Sequence, residues 1–216
     1  EGDDCDVDGF VILKETNFQS VEGVNVDAAN LIARRSADVG VAKLVHLSAL
    51  GADPDAESEY SETKAEGEKL VLAAMPNAVI FRPSIMFGTE DRFFNRMAEL
   101  SRISPVLPLV GADTKFQPVY VNDVALAVET AIIGDVEGGI YELGGPDIAT
   151  LRELAKIAMD GAGRRRKLLE LSFRFARMQA WGFEMVEKLS GGLIPAMLTR
   201  DQVKMLQVDN VVSEGA

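Results

Sequence analysis

Cysteine, histidine and tryptophan are scarce in this chain of 216 residues, which contains one of each. The single cysteine, Cys5, excludes a framework of disulfides within the chain and fits a reducing compartment. His46 is the only histidine, so a metal site built from several histidines is excluded. Its position in an apolar run favours a packed strand residue with a hydrogen-bonded ring. No apolar run approaches the roughly 18 residues of a membrane span, so no membrane span is expected.

Basic residues are also relatively few. The chain has 22 lysines and arginines and 34 acidic residues, which gives a formal net charge of −12. Nucleic acids bind basic surfaces, so no nucleic-acid partner is expected. Hydrophobic residues (47%) and charged residues (26%) are balanced as in ordinary soluble globular proteins. Together with the cysteine usage, this composition predicts a cytoplasmic protein with one substantial core.

Helical and strand patterns alternate in the first part of the chain. A helix over 21–39 is predicted, with an inward face of Val24, Ala28, Leu31 and Ile32. A short apolar strand follows at 43–48, then a helix at 58–74 and a strand at 78–81. Strand, helix and strand at this spacing form a βαβ unit, whose ligand is expected beyond the carboxyl ends of the strands.

The later segments are more mixed. They are predicted to be helices at 91–102, 122–133 and 151–160, and strands at 118–121 and 139–143. The predicted fold class is therefore α/β, the C-terminal part of a Rossmann-like doubly wound parallel sheet with a smaller α/β substrate lobe. We assign residues 10–88 to the Rossmann part and 89–212 to a substrate or partner lobe with interleaved sheet elements.

Large apolar residues crowd the stretch 171–189. They include Phe173, Phe175, Met178, Trp181, Phe183 and Met185, and the basic cluster Arg164-Arg165-Arg166-Lys167 precedes them. A helix of this kind fits peripheral contact with an anionic membrane or with a large protein partner. It also fits an amphipathic helix packed on its own domain.

A candidate catalytic constellation lies in the βαβ unit. Ser48 ends the first strand, and Tyr60 precedes Lys64 by four residues on the following helix, which places both side chains on one helix face. One ammonium at about 4 Å supplies on the order of 4 kcal/mol at an effective dielectric of about 20, enough to lower a phenol pKa by about three units. Ser48 would hydrogen-bond a substrate oxygen near Tyr60. The same Tyr-x-x-x-Lys spacing also occurs on ordinary surface helices.

Four motifs in order raise the specificity of this pattern. They are Val24-Asn25-Val26-Asp27, Leu44-Val45-His46-Leu47-Ser48, Tyr60-x-x-x-Lys64, and Phe81-Arg82-Pro83-Ser84-Ile85-Met86-Phe87-Gly88. Together they resemble the extended and atypical branch of the short-chain dehydrogenase/reductase superfamily, which includes the NAD-dependent epimerases and dehydratases. The resemblance implies that Tyr60 is the general acid/base, that Lys64 lowers its pKa and holds the nicotinamide ribose, and that Ser48 positions substrate. It also implies that Pro83, Ser84 and Ile85 line the nicotinamide.

A closer resemblance is to the nucleotide-binding accessory subunits of respiratory complex I and their bacterial relatives. It rests on 83–95, on Gln117-Pro118-Val119-Tyr120-Val121-Asn122-Asp123-Val124 and on Leu198-Thr199-Arg200-Asp201-Gln202-Val203. It implies NADP or NAD as cofactor, bound as a structural element, and respiratory complex I or another protein as partner through the C-terminal lobe. The implied location is peripheral at the inner membrane, or the mitochondrial matrix side in a eukaryote.

One departure from the family is the absence of a G-x-G-x-x-G or G-x-x-G-x-x-G phosphate loop. The chain begins with Glu1, and residues 1–9 are mostly acidic residues and glycine, as expected of a truncated or processed end. The family places the Gly-rich loop, whose backbone amides bind the pyrophosphate, upstream of this region. We therefore expect these residues alone to bind a dinucleotide weakly or not at all.

Three functional hypotheses follow. The first is a nicotinamide-binding protein with a structural cofactor, favoured by the Phe/Trp/Met-rich C-terminal stretch. The second is an active epimerase, dehydratase or reductase, favoured by the intact Ser48, Tyr60 and Lys64. The third is a non-catalytic protein-interaction module, in which these three residues would have no role.

Overall fold

A computed structural model describes residues 20–191, 193 and 198–214, so Cys5 and the acidic beginning lie outside the described residues. The helices are α1 (Ala29–Asp38), α2 (Glu59–Ala74), α3 (Phe94–Ile103), α4 (Val121–Ile133), α5 (Leu151–Gly161), α6 (Phe173–Leu189) and α7 (Arg200–Met205). The strands are β1 (Val45–Leu47), β2 (Val79–Pro83), β3 (Met86–Phe87), β4 (Val106–Val110), β5 (Lys115–Phe116), β6 (Val119–Tyr120), β7 (Gly139–Leu143), β8 (Ala149–Thr150) and β9 (Lys167–Leu171).

The chain divides into two compact units. The first takes the described residues up to Pro83 together with Ala125–Glu142. The second takes Ser84–Val124 and the described residues from Leu143 onward. No described helix is both long enough and apolar enough to cross a membrane.

A three-stranded sheet in the order β1-β2-β7 forms the first unit's framework. β1 and β2 are parallel, with Val45 opposite Val79 and Leu47 opposite Phe81. The residues of β2 from Val79 to Phe81 are at most 5% exposed, as expected of a central strand buried on both faces. The predicted α/β class with parallel strands is confirmed, and the sequence correctly placed this strand-helix-strand unit.

The first helical segment begins with a π-helical stretch, Gly23–Ala28, which continues into α1. Its buried residues are Asn25, Ala29 and Ala33, whereas Leu31 is 58% exposed. The predicted inward face was therefore wrong, since the helix packs through small side chains and one amide. The neighbouring α2 presents Gly67 at this contact, and the Asn25 carbonyl lies where a Cβ on Gly67 would be.

A buried ion pair fixes α2 against β2. Arg82 donates through Nε to Glu68 Oε1 at 2.8 Å and through Nη2 to Glu68 Oε2 at 2.6 Å. Glu68 is 3% exposed, so this bidentate contact lies out of water, where removal of either partner is costly. It sets the position of the helix that carries Tyr60 and Lys64.

The second unit is built from short paired strands and helices. β3 pairs with β6 and β4 with β9, both in parallel, while β5 pairs with β8 in antiparallel fashion. Its main core consists of Leu107, Leu109, Ala112, Phe116, Leu151, Leu154, Ala155 and Met159. A smaller core of Val110, Ala176, Ala180 and Val203 lies beneath α6 and α7. The sequence did not predict β4 or β9, because their pairing joins segments about sixty residues apart in the chain.

Candidate functional site

Ser48 follows β1 at the carboxyl end of the strand. Its backbone N–H donates to the Phe81 carbonyl at 2.8 Å, and Leu50 N–H donates to the Pro83 carbonyl at 3.0 Å. The loop after β1 is thereby held alongside the end of β2. The Ser48 side chain is 6% exposed, and its hydroxyl oxygen has no hydrogen-bond partner among the described residues. A buried hydroxyl without a partner is unfavourable for stability, and such groups are typical of sites that bind a ligand.

Lys64 reaches the same strand end from α2. Its side chain is buried, with the residue 5% exposed, and Nζ donates to the Leu47 carbonyl at 3.3 Å. Leu47 directly precedes Ser48, so the structure brings the ammonium and the serine to one place, as the sequence predicted. Carboxyl ends of parallel strands are where open α/β sheets bind ligands.

Tyr60 lies one helical turn before Lys64 and is partly exposed. Burial raises the pKa of its phenol from 10.0 to about 12. The sequence led us to expect a lowered pKa, but desolvation disfavours the phenolate and sets the opposite direction here. The phenol is therefore neutral at pH 7.

Asn25 is a polar residue whose importance the sequence reasoning missed. It lies in the π-helical stretch, is 2% exposed, and donates through Nδ2 to Thr63 Oγ1 at 3.0 Å. Thr63 Oγ1 in turn donates to the Glu59 carbonyl at 2.8 Å, with the Tyr60 carbonyl as a second acceptor at 3.1 Å. The Asn25 Oδ1 atom has no hydrogen-bond partner in the described part of the chain. The sequence signal that could have pointed to Asn25 is an amide among apolar residues. The π-helical stretch is a second signal, given by the structure, since π-helical turns often occur at functional sites.

Pro83, Ser84 and Ile85 straddle the division between the units. Pro83 ends β2 in the first unit, whereas Ser84 and Ile85 open the second. The Ser84 hydroxyl donates to Asn210 Oδ1 at 2.6 Å, and Ile85 packs against the second unit's main core. The Ser84 hydroxyl is thus already engaged within the second unit. Their predicted contact with the nicotinamide stays a prediction.

No group of three or more histidine, cysteine, aspartate or glutamate side chains suited to a metal ion is found among the described residues. The buried side-chain nitrogen and oxygen atoms that lack a hydrogen-bond partner there are Ser48 Oγ, Asn25 Oδ1 and His46 Nε2, all in the first unit. They offer one hydroxyl, one amide oxygen and one ring nitrogen, which suit the hydrogen bonds of an organic ligand.

Replacement of Ser48 by alanine is expected to raise the free energy of unfolding by about 1 kcal/mol, because it removes a buried hydroxyl that has no partner. The matched control is Ser84→Ala, which deletes a buried hydroxyl that is hydrogen-bonded and should lower the free energy by about 1 kcal/mol. Urea denaturation followed by circular dichroism measures both changes. Equal losses in the two variants would mean that the Ser48 hydroxyl is paired in solution.

The family model of the RmlD substrate binding domain matches residues 51–176, more than half of the chain. The chain belongs to this family. The RmlD-type chain is also 38% identical over 208 residues to an Arabidopsis thaliana protein, "NADH dehydrogenase [ubiquinone] 1 alpha subcomplex subunit 9, mitochondrial", covering 94% of this chain and 52% of that protein. A Dictyostelium discoideum protein of the same name is 36% identical over 155 residues, covering 71% of this chain and 43% of its own length.

Among solved structures, dTDP-4-dehydrorhamnose reductase from Bacillus anthracis in complex with NADP matches with a TM-score of 0.58 and 23% identity, covering 84% of this chain and 69% of that one. At that identity the likeness shows the fold alone. The RmlD-type chain spans about half the length of the curated relatives it matches. These matches confirm the resemblance to the extended short-chain dehydrogenase/reductases and to the complex I subunits.

Proposed function

We propose that this chain supplies the nicotinamide side of an NAD(P) site in a short-chain dehydrogenase-like protein associated with respiratory complex I. The observation that carries the proposal is the buried Lys64 ammonium, which donates to the Leu47 carbonyl at the carboxyl end of β1. The next residue, Ser48, has a buried hydroxyl without a partner among the described residues. A buried cation and a free hydroxyl at a parallel strand end suit the ribose and amide oxygens of a nicotinamide nucleotide. When bound, the cofactor would supply hydride-transfer chemistry.

The cofactor is proposed to be a structural element. The raised pKa of Tyr60, about 12, keeps the phenol neutral at pH 7, which disfavours reactions that need Tyr60 as a general base. Two of the three unpartnered buried atoms, Ser48 Oγ and Asn25 Oδ1, would gain hydrogen bonds from a ligand held in the first unit. Ligand binding of this kind stabilises the folded state by mass action.

An active epimerase, dehydratase or reductase is the second candidate. It is favoured by Ser48 Oγ, which is free to hold a substrate oxygen, and by Tyr60 on the helix turn before Lys64. In that reading Tyr60 donates its phenolic proton to a substrate oxygen, for which a neutral phenol is the required form. We further propose a peripheral location at the inner membrane, and the relatives named as mitochondrial NADH dehydrogenase subunits support its mitochondrial part.

Nicotinamide fluorescence titration tests the proposal. The 216-residue chain contains no Gly-rich loop, so it is expected to bind NADPH and NADH at least about 100-fold more weakly than an extended form in which a Gly-rich loop has been added before residue 1. In the extended form, Lys64→Met should weaken binding at least about tenfold. Lys69→Met is the matched control, since Lys69 is exposed on the same helix and pairs with Glu66. Failure of both forms to bind either nucleotide would disprove the cofactor proposal.

Tyr60→Phe separates the two candidates within the extended form. If the cofactor is structural, the variant keeps its nucleotide through dialysis and still binds its protein partner. If the protein is an enzyme, the same variant loses turnover by about 100-fold or more while the nucleotide remains bound. Retained reduced nucleotide is read from its absorbance band, so cofactor binding and activity are measured separately.

A further inference from the structure

The helix α6 packs through its small residues and exposes its large ones. Ala176 and Ala180 are 0% exposed and lie against Val110 and Val203. Phe183 is 36% exposed, and six further large residues are more exposed: Phe175 (42%), Met178 (61%), Trp181 (55%), Met185 (38%), Val186 (46%) and Leu189 (81%). A helix that served only its own core would have the reverse arrangement. The large apolar side chains are therefore available to something outside the described residues.

These exposed residues form one stripe. Phe175, Met178, Met185 and Leu189 are separated by three, seven and four positions, so they align on one side of the helix. Trp181 borders that line. The helix has 17 residues and is about 25 Å long, so the stripe runs along most of a long element. We call it the α6 stripe.

A row of basic residues borders the α6 stripe on one side. Arg174, Arg177 and Lys188 share the helix side on which Trp181 lies, and all are exposed. None of the three makes an ion pair with another described residue. Glu184, the acidic residue nearest this row, is held by Arg200 at 2.6 Å. The available charges beside the stripe are thus positive, although the whole chain carries −12.

We propose that α6 lies flat on an anionic lipid bilayer. The α6 stripe enters the boundary between headgroups and acyl chains, while the basic row contacts the lipid phosphates. Trp181 lies within the basic row, next to the α6 stripe, at the level where tryptophan is favoured in membrane interfaces. An antiparallel two-fold contact with a second copy is disfavoured, because it would bring the two basic rows onto the same side. The proposal is independent of any cofactor.

Trp181 is the chain's only tryptophan, so its fluorescence reports directly on the α6 stripe. The full chain is titrated with vesicles of phosphatidylcholine alone and of phosphatidylcholine mixed with phosphatidylglycerol. With the anionic vesicles we expect a blue-shifted emission, protection from acrylamide quenching, and loss of both as salt is raised. Phosphatidylcholine alone should leave the spectrum nearly unchanged.

Two double variants separate the apolar and the charged contributions. Met178→Ser with Met185→Ser, and Arg174→Gln with Arg177→Gln, should each lower partitioning onto anionic vesicles at least about tenfold. All four residues are exposed, so the fold is expected to persist, as circular dichroism would verify. Leu126→Ser is the matched control, because Leu126 is 60% exposed on α4 and should leave binding unchanged.

Two results would overturn the proposal. One is an unchanged Trp181 spectrum in anionic vesicles, which would leave a protein partner as the occupant of the stripe. The other is a blue shift that grows with protein concentration in the absence of vesicles, which would identify a second copy of the chain.

Discussion

Replacement of Gly67 by alanine is expected to lower the free energy of unfolding by about 3 kcal/mol or more. A Cβ at this position would lie 2.2 Å from the Asn25 backbone oxygen, far inside contact distance. Backbone atoms cannot turn aside as a flexible side chain can, so α2 and the π-helical stretch would have to move apart. Urea denaturation followed by circular dichroism would show the loss as a lower midpoint at an unchanged slope.

Gly182→Ala is the matched control for this experiment. Gly182 is also a glycine inside a helix, but no neighbouring heavy atom lies within 4 Å of the position of its Cβ. Alanine there should raise the free energy of unfolding by about 0.5–1 kcal/mol through helix propensity. If Gly67→Ala raised the free energy of unfolding as Gly182→Ala is expected to, the close contact at Gly67 would not exist in solution.

Stability is expected to fall between pH 6.5 and pH 4 because of His46. Burial, assisted by the nearby Lys64 ammonium, lowers the pKa of His46 from 6.5 to about 4. In this window the unfolded chain binds a proton at His46 and the folded chain does not, so acid favours unfolding. The full contribution is present above pH 6.5, and about 3 kcal/mol is lost by pH 4, with about 2 kcal/mol lost by pH 5.

The measurement compares the wild-type chain with His46→Gln by denaturation at several pH values from 7.5 down to about 5. Carboxylates titrate in both proteins, so the difference between the two curves isolates His46. We expect the difference to grow as pH falls and to be flat above pH 6.5, the ordinary pKa of histidine. Parallel curves throughout would contradict a buried neutral His46.

Local sequence patterns were sufficient for the βαβ part of the fold. The apolar run ending in Ser48 and the helix carrying Tyr60 appear at the predicted places, since strand and helix periods differ there. The inward face of the first helix could not be predicted, because the π-helical turn shifts which residues face α2 and the close approach depends on Gly67. Periodicity assumes a regular helix, and this one is irregular.

The candidate site shows the same limit. Ser48 and Lys64 lie near the same strand end. The sequence predicts this, because Ser48 ends an apolar strand run and Lys64 follows Tyr60 by four residues on the next helix. The hydrogen bond from Ser84 to Asn210 joins residues 126 positions apart, and no local pattern contains that information. The direction of the Tyr60 pKa shift also depended on burial, which the Tyr-x-x-x-Lys spacing does not encode.

The π-helical stretch Gly23–Ala28 has a consequence for how this sequence can change in length. A π-turn contains one residue more than the α-helical turn it replaces. Deleting one residue there would restore a regular helix and rotate the preceding residues by about 100° about the axis. Asn25 would then leave its place beside Thr63. The number of residues in this stretch therefore determines whether the buried Asn25 amide can reach Thr63. A point substitution leaves that number unchanged, so it cannot produce the same rotation.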